Sequence, residues 1–308
     1  MSALGPSTDN AKTVSALEPA IVRKAHRLYV RGRIAAGRTW ASRRLGGRAP
    51  RSGVRILLYH RVTDEPDPLA IRPERFRRQL ETIRRLGLKL IPLAETYDHL
   101  AAGDDGRYVA ITLDDGYLDS LTTAEPILRE FEAPATVFLP TGIISGRDRS
   151  TWYHRPPRFL GWDDVPELMS SGVVEVQPHG VAHFALPKLD DEEARDEILG
   201  SISELCERAG VAAHTYSYAA GRYGPREQAI VAASSVRGAV TCDAGINCAN
   251  TTWTALRRTA IYGWESDGEF ASILGGAIDG PSAVRRIRVS AAAARLRFAS
   301  RLRTFSIA

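Results

Sequence analysis

Two adjacent carboxylates, Asp114 and Asp115, end the apolar run Val109-Ala110-Ile111-Thr112-Leu113, with Gly116 and Tyr117 behind them. The run reads as a buried strand. Like charges side by side repel and are costly to desolvate, so acids at the mouth of a core strand need a partner. A bound cation would keep one of them ionised; the plainer reading is a strand end turned by Asp-Gly. Further on, His179 and His183 follow Val173-Val174-Glu175-Val176. Histidines four apart can reach one ion from a helical turn or a tight loop, although with seven histidines in the chain such a spacing also arises by chance. Set beside the acid pair, they make a two-histidine, one-carboxylate centre the leading hypothesis. Such a centre leaves positions open for water and substrate, as a catalytic metal requires.

The elements that must position these groups alternate. Val54–His60 is an apolar strand ending on a histidine, and Pro73 opens a helix whose Phe76, Leu80 and Ile83 share one face. Short strands follow at 88–92 and 109–113, then a helix over 118–131 and a strand at 135–139. A helix over 162–171 and a strand at 173–176 come next, and the 190–209 stretch is one long helix. Strands at 215–218 and 238–241 flank a helix over 226–235. Strand–helix alternation points to a parallel sheet. His60, Asp114, Asp115, His179 and the Ala219-Ala220-Gly221 turn all fall just after strands, and in a barrel those ends open on one face. A (β/α) barrel is therefore expected rather than an open sheet.

Charge divides the 308 residues into three parts. Residues 1–61 hold 13 Lys or Arg against Asp9 and Glu18, and residues 281–308 hold seven arginines and no acid. The body, 62–280, has 21 basic and 34 acidic residues. An acidic body argues against a nucleic-acid-binding core, and the tails are separate objects. The expected organisation is a basic, partly disordered arm at 1–50, a globular domain at 51–280 and a basic amphipathic tail at 281–308. The tails are either solvated arms or peripheral attachments to anionic membrane. No run is apolar and long enough to cross a bilayer, and the first residues lack the pattern of a secretory signal. Cys206, Cys242 and Cys248 form no CxxC, which favours a reduced, cytoplasmic setting while leaving a Cys242–Cys248 bridge open.

Several motifs in order resemble the NodB-type polysaccharide deacetylases, carbohydrate esterase family 4. Thr112-Leu113-Asp114-Asp115-Gly116 resembles that family's T-F-D-D-G, and His179 to His183 its H-S/T-x-x-H. Leu57 to Val62, Pro134 to Leu139, Leu160 to Asp164, Tyr216 to Tyr223 and Leu256 to Trp264 are also similar, so the likeness covers roughly residues 54–270. It implies a distorted α/β barrel of about seven strands and removal of acetyl groups from N-acetylated sugars. By resemblance, Asp115, His179 and His183 would bind a divalent metal, most often zinc. Asp114 would take a proton from metal-bound water, and the Ala220 N–H would help hold the oxyanion. Most members protonate the leaving amine with a late histidine, but this chain has none after His214. Poly-N-acetylglucosamine deacetylases of the family draw that histidine from an N-terminal Tyr-His strand, which here is His60.

The chain also departs from the pattern. Ala219-Ala220 replaces a Pro-aromatic pair, and Gly180 replaces a Ser or Thr. Ser217 replaces an arginine found in some members, leaving Arg258 as the candidate to brace Asp114. Trp152 and Tyr153 are expected either to touch substrate or to pack at the rim. Trp162 is expected to pack, Cys206 to be a small buried hydrophobe and His154 to lie on the surface. The expected function is metal-dependent deacetylation of an N-acetylated sugar or glycan, a lipid-linked intermediate included. The alternatives are an amide or formamide hydrolase on a non-sugar substrate, and an inactive carbohydrate-binding or membrane-associated member.

Overall fold

In the computed structural model, residues 52–150, 156–277 and 279 are described. The expectations for the arms at 1–50 and 281–308, and for Trp152, Tyr153 and His154, fall outside them. The strands are β1 (Gly53–Tyr59), β2 (Arg61–Val62), β3 (Ala70–Ile71), β4 (Lys89–Leu90), β5 (Arg107–Leu113), β6 (Ala135–Leu139), β7 (Val174–Pro178), β8 (Thr215–Ser217), β9 (Gly238–Val240) and β10 (Arg258–Ala260). Between and after them run α1 (Pro73–Arg85), α2 (Glu95–Ala102), α3 (Glu125–Glu130), α4 (Thr141–Ile144), α5 (Val165–Met169), α6 (Asp191–Ala209), α7 (Pro225–Ala232) and α8 (Asp267–Leu274).

The central strands β5 and β6 form where the sequence is largely apolar on both faces, the signature of a sheet covered on both sides. The main sheet runs β10-β1-β5-β6-β7, all parallel, with β4 added beside β5. β8 and β9 form a parallel pair of their own, and a parallel bridge from Val240 to Leu256 joins β9 to the segment entering β10. Between β7 and β8 the ring is spanned by a side chain rather than a backbone ladder. Gln177 Oε1 accepts the N–H groups of His214 at 2.8 Å and Thr215 at 3.0 Å. The amide thus satisfies donors that a regular ladder would have used. The result is a distorted α/β barrel in which β1, β5, β6, β7, β8, β9 and β10 make the ring.

Period-two alternation sorts the side chains. Val54, Ile56, Ala110, Phe138 and Val240 share an interior cluster, while Leu57, Tyr59, Val109, Ile111, Leu113, Val137 and Val176 pack outward against the helices. Helix α1 shows how the outer layer is held. Pro73 starts it, Arg84 and Arg85 sit in its last turn where the dipole favours cations, and Phe76, Leu80 and Ile83 are fully buried. Each such side chain contributes about 1.5–3 kcal/mol, so Leu80→Ala alone would cost about 2–5 kcal/mol.

Some elements differ from expectation. The helix expected from 118 opens instead with a wide π turn, Ser120–Ala124, before α3. The β2–β3 pair, α4 and α8 carry too little periodicity to be read from sequence. All three cysteines are free thiols, which answers the open Cys242–Cys248 question, and Cys206 is only half-buried because it lies at the edge of the α6 apolar stripe. Trp162 does pack against the core, and its indole N–H donates to Ser145 Oγ at 2.9 Å. No helix among the described residues is long and apolar enough to cross a membrane.

Candidate active site

The sheet alternation delivers the site residues. Asp114 continues the interior phase of β5 after Ala110 and Thr112, His179 that of β7 after Gln177, and His60 that of β1 after Val54 and Ile56. Ladder bonds extend to two of them: the Asp114 N–H donates to Tyr59 O and the His179 N–H to Leu139 O, each at 2.9 Å. Arg258 enters from β10 in register with Ile56 and is fully buried.

Asp115, His179 and His183 present ligand atoms that lie within 4.8 Å of one another. Asp115 Oδ1 sits 3.4 Å from His179 Nε2 and 3.3 Å from His183 Nε2. That oxygen is buried and makes no hydrogen bond of good geometry. A bare carboxylate oxygen facing two imidazole nitrogens is the donor set that zinc takes in catalytic centres, so the residues fit such an ion. His179 and Asp115 are each oriented by a second contact. His179 Nδ1 lies 2.9 Å from Ser217 O, which makes Nδ1 the donor and turns Nε2 toward the centre. The Tyr117 hydroxyl donates to Asp115 Oδ2 at 2.9 Å, and its ring stacks on Phe159.

Asp114 is held differently. Arg258 grips it with two parallel bonds, Nη1 to Oδ1 at 2.6 Å and Nη2 to Oδ2 at 2.7 Å. The remaining guanidinium donors go to Thr241 O at 2.9 Å, Ser217 Oγ at 2.9 Å and Thr112 Oγ1 at 3.2 Å. A buried pair is tolerable only when its other hydrogen bonds are met, and these are. Arg258 thus meets Asp114 through both carboxylate oxygens.

Burial opposes charge at every one of these groups, and the neighbours decide the outcome. At Asp114 burial raises the pKa, but Arg258 and His179 outweigh it and leave the carboxyl below its ordinary value. At Asp115 the same penalty is overcome by His183, His179 and His60, which hold it well below the carboxylate range. Burial pulls His179 down, yet the two aspartates lift it above its ordinary value. His183 is less compensated, and burial takes it down to about 4. His60 is half-buried and near enough for its charge to act on Asp114, Asp115 and His183, so the structure brings it to the same place. Ala220 lies at the exposed tip of the turn after β8, in the left-handed region at φ 52°.

The backbone is strained here. Four non-glycine residues among those described have positive φ, and Asp115, His183 and Ala220 are three of them. Such conformations cost roughly 1–3 kcal/mol each and persist only where the surroundings impose them. Sequence reading missed three contributors. Tyr117 stands inside the opening motif, but nothing local says that its hydroxyl folds back two residues. Ser217 was noted for the arginine it lacks, whereas it serves both His179 and Arg258. Glu197 on α6 escaped notice, although an acid on the buried stripe of Ala194, Ile198 and Ile202 is a readable signal.

Residues 101–238 match the polysaccharide deacetylase family, a segment that includes Asp114, Asp115, His179, His183 and Ala220 and leaves out His60 and Arg258. The chain is 22% identical over 221 residues to the protein YxkH of Bacillus subtilis (strain 168), covering 71% of this chain and 75% of that one. It is 27% identical over 141 residues to the poly-beta-1,6-N-acetyl-D-glucosamine N-deacetylase of Escherichia coli (strain K12), covering 42% of this chain and 21% of that enzyme. Its fold is similar to that of the Streptococcus pyogenes deacetylase PplD, solved in complex with acetate, with a TM-score of 0.64, 22% identity and coverage of 73% of this chain and 99% of that one. With the acid pair and both histidines inside the matched segment, and the distorted parallel barrel shared with PplD, this chain carries a polysaccharide deacetylase domain of the NodB, carbohydrate esterase family 4 type.

Proposed function

We propose that the domain hydrolyses the acetamide of an N-acetylated amino sugar or glycan, with a divalent metal, zinc first, held by Asp115, His179 and His183. The observation that carries this is the bare, buried Oδ1 of Asp115 between two imidazole nitrogens, with an ionised Asp114 next in the chain. A cation in that place supplies Lewis acidity, polarising the amide carbonyl and making water a better nucleophile near neutral pH.

The chain's own residues then have separate tasks. Asp114, kept ionised and immobile by Arg258, accepts the proton of the attacking water. The Ala220 N–H, on the turn after β8, adds a donor for the developing oxyanion. His60, at the end of the neighbouring strand β1, gives a proton to the departing amine. An N-acetylglucosamine polymer is the first substrate to try, because the Escherichia coli relative is named for that activity. The globular domain is assigned to 51–280. The basic segments 1–50 and 281–308 are assigned to peripheral contact with anionic lipid on the cytoplasmic side, where a lipid-linked glycan would be presented.

Acetate release from N-acetylglucosamine oligomers, measured with zinc added and against simple formamides and non-sugar amides, tests the reading. Sugar-selective release supports it. Release only from the non-sugar amides, or from none of the set by zinc-loaded protein, overturns it. Asp114→Asn should retain zinc and lose about 10²–10⁴-fold in rate.

A further inference from the structure

Helix α6 buries Ala194, Ile198, Ser201, Ile202 and Leu205, and Glu197 lies on the same buried side. A carboxylate there is costly unless its oxygens are hydrogen-bonded. Among the described residues no lysine, arginine or histidine side chain is bonded to it; three successive backbone N–H groups are. Oε1 accepts from Ala182 at 2.9 Å and from Phe184 at 3.1 Å, Oε2 lies 3.2 Å from the Ala182 nitrogen, and the N–H of His183 is a third donor. Successive N–H groups converge on one anion only when the backbone turns through left-handed space, and His183 has φ 60°. The carboxylate thus offsets the strain of the conformation that carries a ligand.

The other side of the loop is gripped too. The carbonyls of Gly180 and Val181 accept the N–H groups of Thr141 at 3.0 Å and Gly142 at 2.8 Å, from the first turn of α4. Gly180 explains itself in the same terms. It sits at φ 81°, and a Cβ there would fall 2.8 Å from Glu197 Oε1 and 3.4 Å from the Tyr216 hydroxyl. The space where a Ser or Thr would place its side chain is taken by the carboxylate.

We infer that Glu197 is a positioning residue for the metal centre: its carboxylate shapes the 180–184 loop so that His183 Nε2 faces Asp115 Oδ1, and Gly180 is glycine to admit it. This rests on the metal site proposed above. The test uses the full chain with Glu197→Ala, the isosteric Glu197→Gln and Gly180→Ala, each checked for folding by near-ultraviolet circular dichroism. Three readouts apply: amide exchange at 182–184 in metal-free protein, zinc affinity by chelator competition, and the visible spectrum with cobalt(II) in place of zinc. Glu197→Ala should speed exchange at those amides, weaken zinc by about 10–100-fold and alter the cobalt bands. Glu197→Gln, which keeps one acceptor oxygen, should fall between it and the parent. Gly180→Ala should weaken zinc in the parent and weaken it less in the Glu197→Ala background, where the clash with the carboxylate is gone and only the strain of a Cβ at φ 81° remains. Unchanged exchange in Glu197→Gln, or zinc affinity within twofold of the parent with unchanged cobalt bands, overturns the inference. A parent chain that binds no divalent cation instead overturns the deacetylase reading on which it stands.

Discussion

Asp114, at the mouth of β5, and Glu265, in the segment after β10, are both buried carboxyl groups, and the fold treats them in opposite ways. Asp114 faces the barrel interior, where Arg258 meets it with two bonds and holds it ionised. Glu265 lies near Tyr59 in the helix-facing layer, and the guanidinium of Arg75 bonds its backbone carbonyl rather than its carboxyl. One carboxyl oxygen of Glu265 accepts the Tyr262 N–H at 2.9 Å, and the other has no hydrogen-bond partner among the described residues. Burial, little opposed, pushes its pKa up to about 8. Desolvation is the first influence at both acids, so burial alone says nothing about charge. A fitted cation decides it: the acid gripped by Arg258 is held below its ordinary pKa, and the acid met by a backbone N–H is pushed above it.

The largest effect should come from breaking the charged region at its centre. Asp115→Ala removes the oxygen shared by both histidines, and zinc affinity should drop by more than the roughly 100-fold that outer contacts command, taking acetate release with it. Metal analysis after gel filtration decides the point; zinc at full occupancy would mean that the ligand set is wrong. Next, Arg258→Met strands the Asp114 charge and should lower stability by about 3–5 kcal/mol in urea unfolding. Adding Asp114→Asn should recover part of that loss. If it recovers none, the pair is not what distinguishes the two regions.

The neutral region is probed by pH. The folded-state pKa of Glu265 is raised, so the folded state holds a proton that the unfolded state has released. Its contribution is therefore complete below the ordinary carboxyl pKa and disappears as pH rises through about 8. Between about pH 6 and pH 8 the parent should lose on the order of 1–2 kcal/mol relative to Glu265→Gln. Parallel stability curves for the two proteins would place a cation near Glu265 after all. The smallest change is Tyr117→Phe, which removes one hydrogen bond to Asp115 and should cost about 1 kcal/mol of stability, with a measurable but modest loss of zinc.

Much of this was readable in the chain before it folded. Apolar runs at 54–59, 109–113 and 135–139 are strands because nothing else buries both faces of so short a segment, and period-two alternation then commits the next interior position in each. His60, Asp114 and His179 inherit their direction from that parity, and the spacing of His183 lets it return to the same point. The resemblance added the roles proposed for them. What could not be read were contacts closed by other segments, Gln177 spanning the gap between β7 and β8 and Glu197 gathering the N–H groups around His183, and the side-chain direction that turns the Tyr117 hydroxyl back to Asp115 two residues away. Local sequence determines which way a side chain points, because backbone geometry is local. Which partner it meets, and therefore whether a buried acid keeps its charge, depends on elements far away in the chain, and only the tertiary structure decided that for Asp114, Glu197 and Glu265.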